Sequence, residues 1–373
     1  MFKNQSHNLF PLVISSGAFF LSYYTRLMWS ILSVYMPLKP TITQDGHIFA
    51  LYFFGYVAVQ IPAGFVSDRF DCGKIISLSL ILLSIITFFS GVATNIYQEY
   101  VLSLLMGFCA GWIYPASLKI IEYYYKDNRS VFMGYYSIAW PLAIVLSGIV
   151  LPVLSVTLGW RFGYYSSAIL CAIVGILSFG LKSYKTSSKM NLKIIKNKNV
   201  LLISFGGLLF FASYWSITLY AYKYFLDIGI NKVTAGIMFS SMAIAGFFSS
   251  PVSGFIIKKF GISRTIFLSF FSYALLTLFL AIIKIEFILF LIAFGMGFAR
   301  FIITPVNNDL LMRIGKQDAG AVSGFSNMFW QTSGILSPLF SSFIISKFGF
   351  SILWVTLCAI ILIASTFYLK IKT

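Results

Sequence analysis

Gly107-Phe-Cys-Ala110-Gly111-Trp-Ile-Tyr-Pro115 and, 190 residues further on, Gly297-Phe-Ala-Arg300-Phe-Ile-Ile-Thr-Pro305 decide how this chain is read. Each stretch starts on a glycine, ends on a proline eight positions later, and lies inside an apolar run roughly 20 residues long. A helix of that length crosses a hydrocarbon layer of ~30 Å, since each residue advances the helix by about 1.5 Å. Carried outward, the same offset pairs Gly17 with Gly207, Tyr24 with Tyr214 and Gly64 with Gly254. It also pairs Gly134 with Gly324 and Trp140 with Trp330. One register held by glycines, a proline and a tryptophan over several runs marks an internal duplication.

Cutting the chain where charges, Pro and Asn cluster yields spans near 9–34, 46–66, 75–94, 98–121, 131–154 and 160–181. A second six follow near 200–226, 233–257, 264–284, 286–312, 319–345 and 349–369. The expected architecture is an all-α membrane protein of twelve transmembrane helices in two pseudo-symmetric six-helix halves. Residues 1–181 and 200–373 form the halves, joined by a basic linker over 182–199. The 373 residues are 59% hydrophobic and 10% charged, with a mean hydropathy of +0.90. A soluble domain with that balance would lack the polar surface to face water. No cleavable leader is expected, because residues 1–10 are largely polar and the first apolar run is too long for one.

A net charge of +17 raises the question of nucleic acid, and the distribution of charge answers it. With the N-terminus in the cytoplasm, 19 of the 27 basic residues count to the cytoplasmic side and 6 to the outside, while Arg26 and Arg300 fall within spans and count to neither. That asymmetry is topological, with both termini cytoplasmic and the protein in the cytoplasmic membrane. No nucleic-acid partner is expected; membrane lipid is. The cysteines Cys72, Cys109, Cys171 and Cys358 are widely spaced, and the two histidines, His7 and His47, lie at a tail and a loop. Neither pattern implies a disulfide, a metal or a cofactor.

The loop after the second span, Gly64-Phe-Val-Ser-Asp68-Arg69-Phe-Asp71-Cys-Gly-Lys74, resembles the G-x-x-x-D-R-x-G-R-[RK] loop of the major facilitator superfamily. Its counterpart in the second half is Gly254-Phe-Ile-Ile-Lys258-Lys259-Phe-Gly261, which lacks the acid, and Asp71 stands where that family has glycine. Gly159-Trp160-Arg161-Phe162, before the sixth span, is also similar to the family's pattern. The resemblance implies a major facilitator fold that works by alternating access around a central cavity lined by helices 1, 4, 7 and 10. In such a loop Gly64 would let helices approach closely. Asp68 and Arg69 would latch the cytoplasmic face.

Ionisable groups deep in a bilayer are costly and ask for a function. By these boundaries all ten acids lie in loops or near span ends, whereas two arginines do not. Arg300 sits near the middle of its span with Thr304, Asn307 and Asn308 following at helical spacing. Arg26 lies on a stripe of Ser15, Ser22, Ser30 and Ser33. The resemblance puts both on cavity helices, one from each half. Two guanidiniums facing one cavity with no carboxylate in reach call for an anion. The other readings are a structural Arg300 bonded to carbonyls at a helix break near Pro305, and an Arg26 that snorkels to the surface.

Tyr23, Tyr220, Asn307 and Trp330 are the expected companions of the arginines. Ser213, Ser216, Tyr220 and Lys223 form a stripe on span 7, where Lys223 reads chiefly as an interface anchor. Lys119 and Asp309, again 190 apart, are a candidate gate pair between the halves, against the plainer reading of two snorkelling side chains. Leu21-Ser22-Tyr23-Tyr24-Thr25-Arg26 is similar to a segment of the family's anion:cation symporter branch. Thr25 and Ala110 stand where that branch has acids, and only Arg26 carries over.

No phosphate-cradling GK[ST] loop, no G-P-x-x-G-G antiporter run in span 5 and no catalytic constellation occurs. The expectation is a monomeric secondary transporter, not an enzyme, that moves a small organic anion, with uptake ahead of export. A zwitterion such as an amino acid, or a sensor that moves nothing, are the alternatives.

Overall fold

The computed structural model describes residues 8–183, 197–315 and 319–371, and a few side chains within them, that of Asn308 included, lie outside the description. Most of the expected linker falls outside as well. The described residues are helical and contain no strand. The chain divides into two compact units, Met1–Ser188 and Lys189–Thr373.

The first unit runs through α1 (Phe10–Leu32), α2 (Ile42–Arg69), α3 (Cys72–Val92), α4 (Ile96–Ala110) and α5 (Ile113–Tyr124). It continues through α6 (Arg129–Ser137), α7 (Ala139–Thr157) and α8 (Arg161–Ser178). The second holds α9 (Lys198–Asp227), α10 (Lys232–Phe260), α11 (Ile262–Ile282), α12 (Glu286–Gly315) and α13 (Ala319–Leu369). Side-chain caps set several starts. Thr41 accepts from Gln44 N at 3.2 Å while Gln44 Oε1 accepts from Thr41 N at 2.9 Å, so α2 begins earlier than its apolar run. Asn95 and Gln98 form the same reciprocal box at α4.

The fourth and fifth expected spans are each broken in two, and proline explains both breaks. Pro115 has no N–H for the carbonyl of Gly111, where α4 gives way to α5. Gln60 Nε2 supplies the missing donor to that carbonyl at 3.1 Å. Pro141 likewise cannot serve the carbonyl of Ser137, where α6 ends. Pro305 lies within α12, which runs on without interruption, so the expected break there is not found.

Ten helices among the described residues are long and apolar enough to cross a membrane. α1 is not one of them, because its serines and Arg26 lower its hydropathy despite a length of 23 residues. α13 counts once, although its 51 residues are two rods joined at Gly349 with φ 81°. With α4 and α5 taken as one span, α6 and α7 as another, α1 counted and α13 divided, twelve rods result, and ten segments meet the criterion as they stand.

The duplication is visible inside each unit taken alone. α2 packs along α4, α3 along α8 and α1 along α7. In the other unit α10 packs along α12, α11 along α13 and α9 along α13. The tightest crossing repeats residue for residue. A Cβ on Gly107 would strike the Tyr52 carbonyl, and one on Gly297 would strike the Met242 carbonyl, both partners again 190 apart. Only glycine lets two backbones come so close. Gly64 has no such role, since a Cβ there would meet nothing within 4 Å. Gly64 is off the α2 face, formed by Gly55, Tyr56 and Val59, that touches α4.

Hydroxyls join the rods of the second unit, with Ser204 to Ser326 at 2.9 Å and Ser341 to Ser216 at 2.7 Å linking α9 and α13. Large apolar side chains such as Phe54, Phe65, Ile85, Phe255 and Phe287 stay exposed, as a surface in hydrocarbon requires.

Candidate functional site

Each unit buries one arginine in a cage of aromatic rings. Arg26 on α1 is 2% exposed. Its guanidinium carbon lies 4.3 Å from the Tyr56 ring centre, 4.8 Å from those of Tyr23 and Phe53, and 5.5 Å from that of Tyr52. Tyr52, Phe53 and Tyr56 share one face of α2, and hydrogen bonds tie α1 to that face and to α4. The Tyr52 hydroxyl donates to the Ser22 carbonyl at 2.8 Å, and Ser22 Oγ donates to the Ala110 carbonyl at 3.3 Å. The serine stripe of α1 is therefore buried, with Ser22 bonded across helices and Ser30 to its own helix.

Arg300 on α12 is also 2% exposed. Its guanidinium carbon is 4.4 Å from the ring centre of Tyr214, 4.9 Å from that of Phe211 and 5.3 Å from that of Phe210, all on α9. Phe301 adds a fourth ring at 5.9 Å. Arg300 Nη1 donates to Thr304 Oγ1 at 2.6 Å, one turn along the same helix. The phenols of Tyr273 on α11 and Tyr368 on α13 stand within its electrostatic reach. Arg300 is thus bonded to a side chain of its own helix, and that helix runs unbroken through Pro305. A guanidinium over an aromatic face gains about 0.5–2 kcal/mol per ring, so each cage offsets part of the cost of burying the charge.

Tyr23 belongs to the first cage, and Trp330 stands behind the second. Tyr23 touches Arg26 directly and packs on Trp140 at 5.8 Å. Trp330 is one layer back: it stacks on Phe211 at 5.2 Å with an interplanar angle of 15° and donates Nε1 to the Ile203 carbonyl at 3.3 Å. Asn307 is buried beside the Tyr368 hydroxyl. Tyr220 is elsewhere on α9, against Phe350 at 6.5 Å, and is not one of the rings around Arg300. Lys223 is 7% exposed, so it is not an interface anchor reaching water.

Lys119 and Asp309 each take a partner within their own unit. Lys119 on α5 pairs with Asp68 near the end of α2, and Arg313 Nε meets Asp309 Oδ2 at 3.1 Å. Arg69, the last residue of α2, is exposed.

Two of the acids depart from the sequence expectation. Glu99 is 1% exposed and Asp45 is 2% exposed, although both lie near helix ends. Burial by packing, not position along the helix, decides whether either group meets water. Asp45 Oδ1 accepts from Trp29 Nε1 at 2.9 Å. Glu99 lines a small cavity with Arg26, Thr25, Trp29, Tyr52, Ser103 and Tyr164. The space is about 10 Å³, room for roughly one water. A carboxyl group therefore does stand on the cavity of Arg26. No group of three or more metal-ligating side chains occurs among the described residues.

The family model of the Major Facilitator Superfamily matches residues 14–338. Among curated relatives, a probable nitrate transporter, NarT of Staphylococcus haemolyticus, is 23% identical over 359 residues, 90% of each chain. The nitrite extrusion protein of Bacillus subtilis is 23% identical over 208 residues, 54% of this chain and 52% of that protein. The probable galactarate/D-glucarate transporter GudP of the same organism is 27% identical over 142 residues, 35% of this chain and 30% of that one. The match thus spans about half of the nitrite extrusion protein and less of GudP. Among solved structures, a point mutant of the nucleoside transporter NupG superposes with a TM-score of 0.84 at 15% identity, covering 98% of this chain and 100% of that one. An inward-facing, unoccupied bacterial homologue of the human lysosomal transporter Spinster gives 0.82 at 15% identity, covering 99% and 97%. With the family model spanning most of its length and both structures sharing its fold, this chain belongs to the Major Facilitator Superfamily of multi-pass membrane transporters.

Proposed function

We propose that this secondary transporter moves a small anion, a carboxylate- or phosphate-bearing metabolite first among them, by alternating access across the cytoplasmic membrane. Arg26 and Arg300 are its charge anchors, and Tyr23, Asn307 and Trp330 shape the site. The observation that carries the reading is a fully buried guanidinium in each unit, seated on neutral rings. Neutral rings fix the guanidinium plane and leave its positive charge in place for a bound anion. Tyr220 contributes at a distance from Arg300. Relatives named for nitrate, nitrite and sugar diacids agree with anionic cargo. Uptake is favoured over export, and the protein works as a monomer with both termini cytoplasmic.

A zwitterionic amino acid is the second reading, favoured by Glu99 on the cavity of Arg26. The test is thermal stabilisation of purified protein against nitrate, mono- and dicarboxylates, sugar phosphates, amino acids and neutral sugars. Stabilisation by an anion, lost in Arg26→Ala and in Arg300→Ala, supports the proposal. Stabilisation by neutral or cationic compounds alone rejects it.

A further inference from the structure

The capping box that starts α4 leaves two donors free. Gln98 Oε1 accepts from Thr94 N at 2.8 Å and from Asn95 N at 3.3 Å, while Asn95 Oδ1 accepts from Gln98 N at 3.0 Å. Both side-chain oxygens are thus committed to the cap, and neither side-chain NH2 group has a hydrogen bond among the described residues. Asn95 and Gln98 line a groove of about 480 Å³ between the end of α3 and the start of α4. Phe89 and Val92 form its α3 wall, Val101 and Leu102 its α4 wall, and no residue lining it is charged. Phe88 and Leu105, next to Phe89 and one turn beyond Val101, are exposed as well, so the groove is continuous with the apolar surface that meets hydrocarbon. Val101 lies six residues past Asn95, about 9 Å along the helix at ~1.5 Å per residue. Asn95 itself is in the loop between two membrane-crossing segments. The groove therefore has a polar rim at headgroup level and an apolar stem inside the bilayer. Tyr97, 74% exposed, stands at that rim, where aromatic rings collect.

We propose that this groove holds one bilayer phospholipid, with an acyl chain against its apolar walls and the phosphate accepting hydrogen bonds from the amides of Asn95 and Gln98. The chemistry of the groove matches that occupant from end to end. An uncharged stem open to hydrocarbon suits an acyl chain, and donors confined to the rim suit the phosphate oxygens above it. The positive end of the α4 dipole favours the same negative group. The internal repeat supplies a contrast. At the offset of 190, Asn95 and Gln98 become Ile285 and Ile288, whereas Phe89, Tyr97 and Val101 remain large as Phe279, Phe287 and Leu291. The second unit thus keeps large side chains at these places and lacks the donors, so it meets lipid there only as any apolar surface does. The lipid site is independent of the transported solute.

Two measurements test this. In the first, the protein is reconstituted in phosphatidylglycerol vesicles doped with phosphatidylglycerol that carries a diazirine near the head of one acyl chain. After illumination the label is read peptide by peptide. Residues 89–102 should carry several-fold more label than residues 279–292, and Val101→Trp, which fills the groove from an exposed position, should bring the two segments level. Equal labelling of the two segments in wild type overturns the proposal. So does a dimer in phospholipid-free detergent that Val101→Trp dissociates, because a second copy then fills the groove. The second measurement titrates delipidated protein in detergent with phosphatidylglycerol and counts bound lipid by native mass spectrometry. The double variant Asn95→Asp, Gln98→Glu keeps every side-chain oxygen that the cap uses and removes both NH2 groups. Without lipid it should melt with wild type, yet its first lipid should bind about tenfold more weakly, the loss expected for two hydrogen bonds. First-lipid binding by the double variant as tight as that of wild type overturns the proposal.

Discussion

Replacing Arg26 by methionine separates a structural arginine from a functional one. Methionine roughly fills the same volume but carries no charge. The substitution forfeits four ring contacts at 4.3–5.5 Å, each worth about 0.5–2 kcal/mol and not additive. It also removes the desolvation cost of a guanidinium that is 2% exposed, several kcal/mol after relaxation. The rings of Tyr23, Phe53 and Tyr56 then close on an apolar side chain, which suits them as well as a cation. Exchanging buried charged groups for well-packed apolar ones is often neutral or stabilising, by about 1–4 kcal/mol. Arg26→Met should therefore melt at or above the wild-type temperature in anion-free detergent solution, while losing all stabilisation by anions. The assay is intrinsic-fluorescence melting with and without the anion that stabilises wild type. A variant that unfolds several degrees early without ligand would refute the reasoning, because the guanidinium would then be holding α1 to α2.

The helix crossings and the inner polar contacts lead to three further expectations. Gly107→Val and Gly297→Val should each destabilise by about 1–3 kcal/mol or prevent folding, since the new side chain meets the carbonyl of Tyr52 or Met242; melting of the two variants checks both halves of the repeat, and Gly64→Ala should be harmless by comparison. Gln60→Leu leaves the Gly111 carbonyl without a donor beside the Pro115 break and should cost about 1–3 kcal/mol, read as a lowered melting temperature. Lys119→Ala and Asp68→Ala should impair transport alike, and the double variant should be no worse than either, as the coupling in a mutant cycle of flux would show.

The spans are legible in the sequence because hydrocarbon enforces length and apolarity, and the repeat because glycine and proline act at fixed places. Gly107 and Gly297 have to recur together, since each admits a backbone that no other residue could admit. The breaks after Ala110 and Ser137 are also written in Pro115 and Pro141, a few residues downstream, but the apolar runs continue through them and conceal the turn. Arg26 and Arg300 stand out by cost alone. Their cages do not, because aromatic residues make up 18% of the chain and no single ring is conspicuous. The Tyr52, Phe53 and Tyr56 spacing on one helical face is the available signal. Glu99 escapes a reading of the sequence for a different reason. Distance along the chain from the end of a helix says little about burial, which packing against other helices decides. Tyr220 shares a stripe with the polar residues of its span, yet it and Arg300 occupy different levels of the second unit.

The most direct test of the central claim is anion counterflow in proteoliposomes, with wild type, Arg26→Met and Arg300→Met compared at matched reconstitution. Unlabelled anion inside should drive transient uptake of the labelled anion by wild type, and each variant should fall to the level of empty vesicles. Counterflow that survives removal of either arginine, or that occurs only with neutral or cationic solutes, would contradict the account.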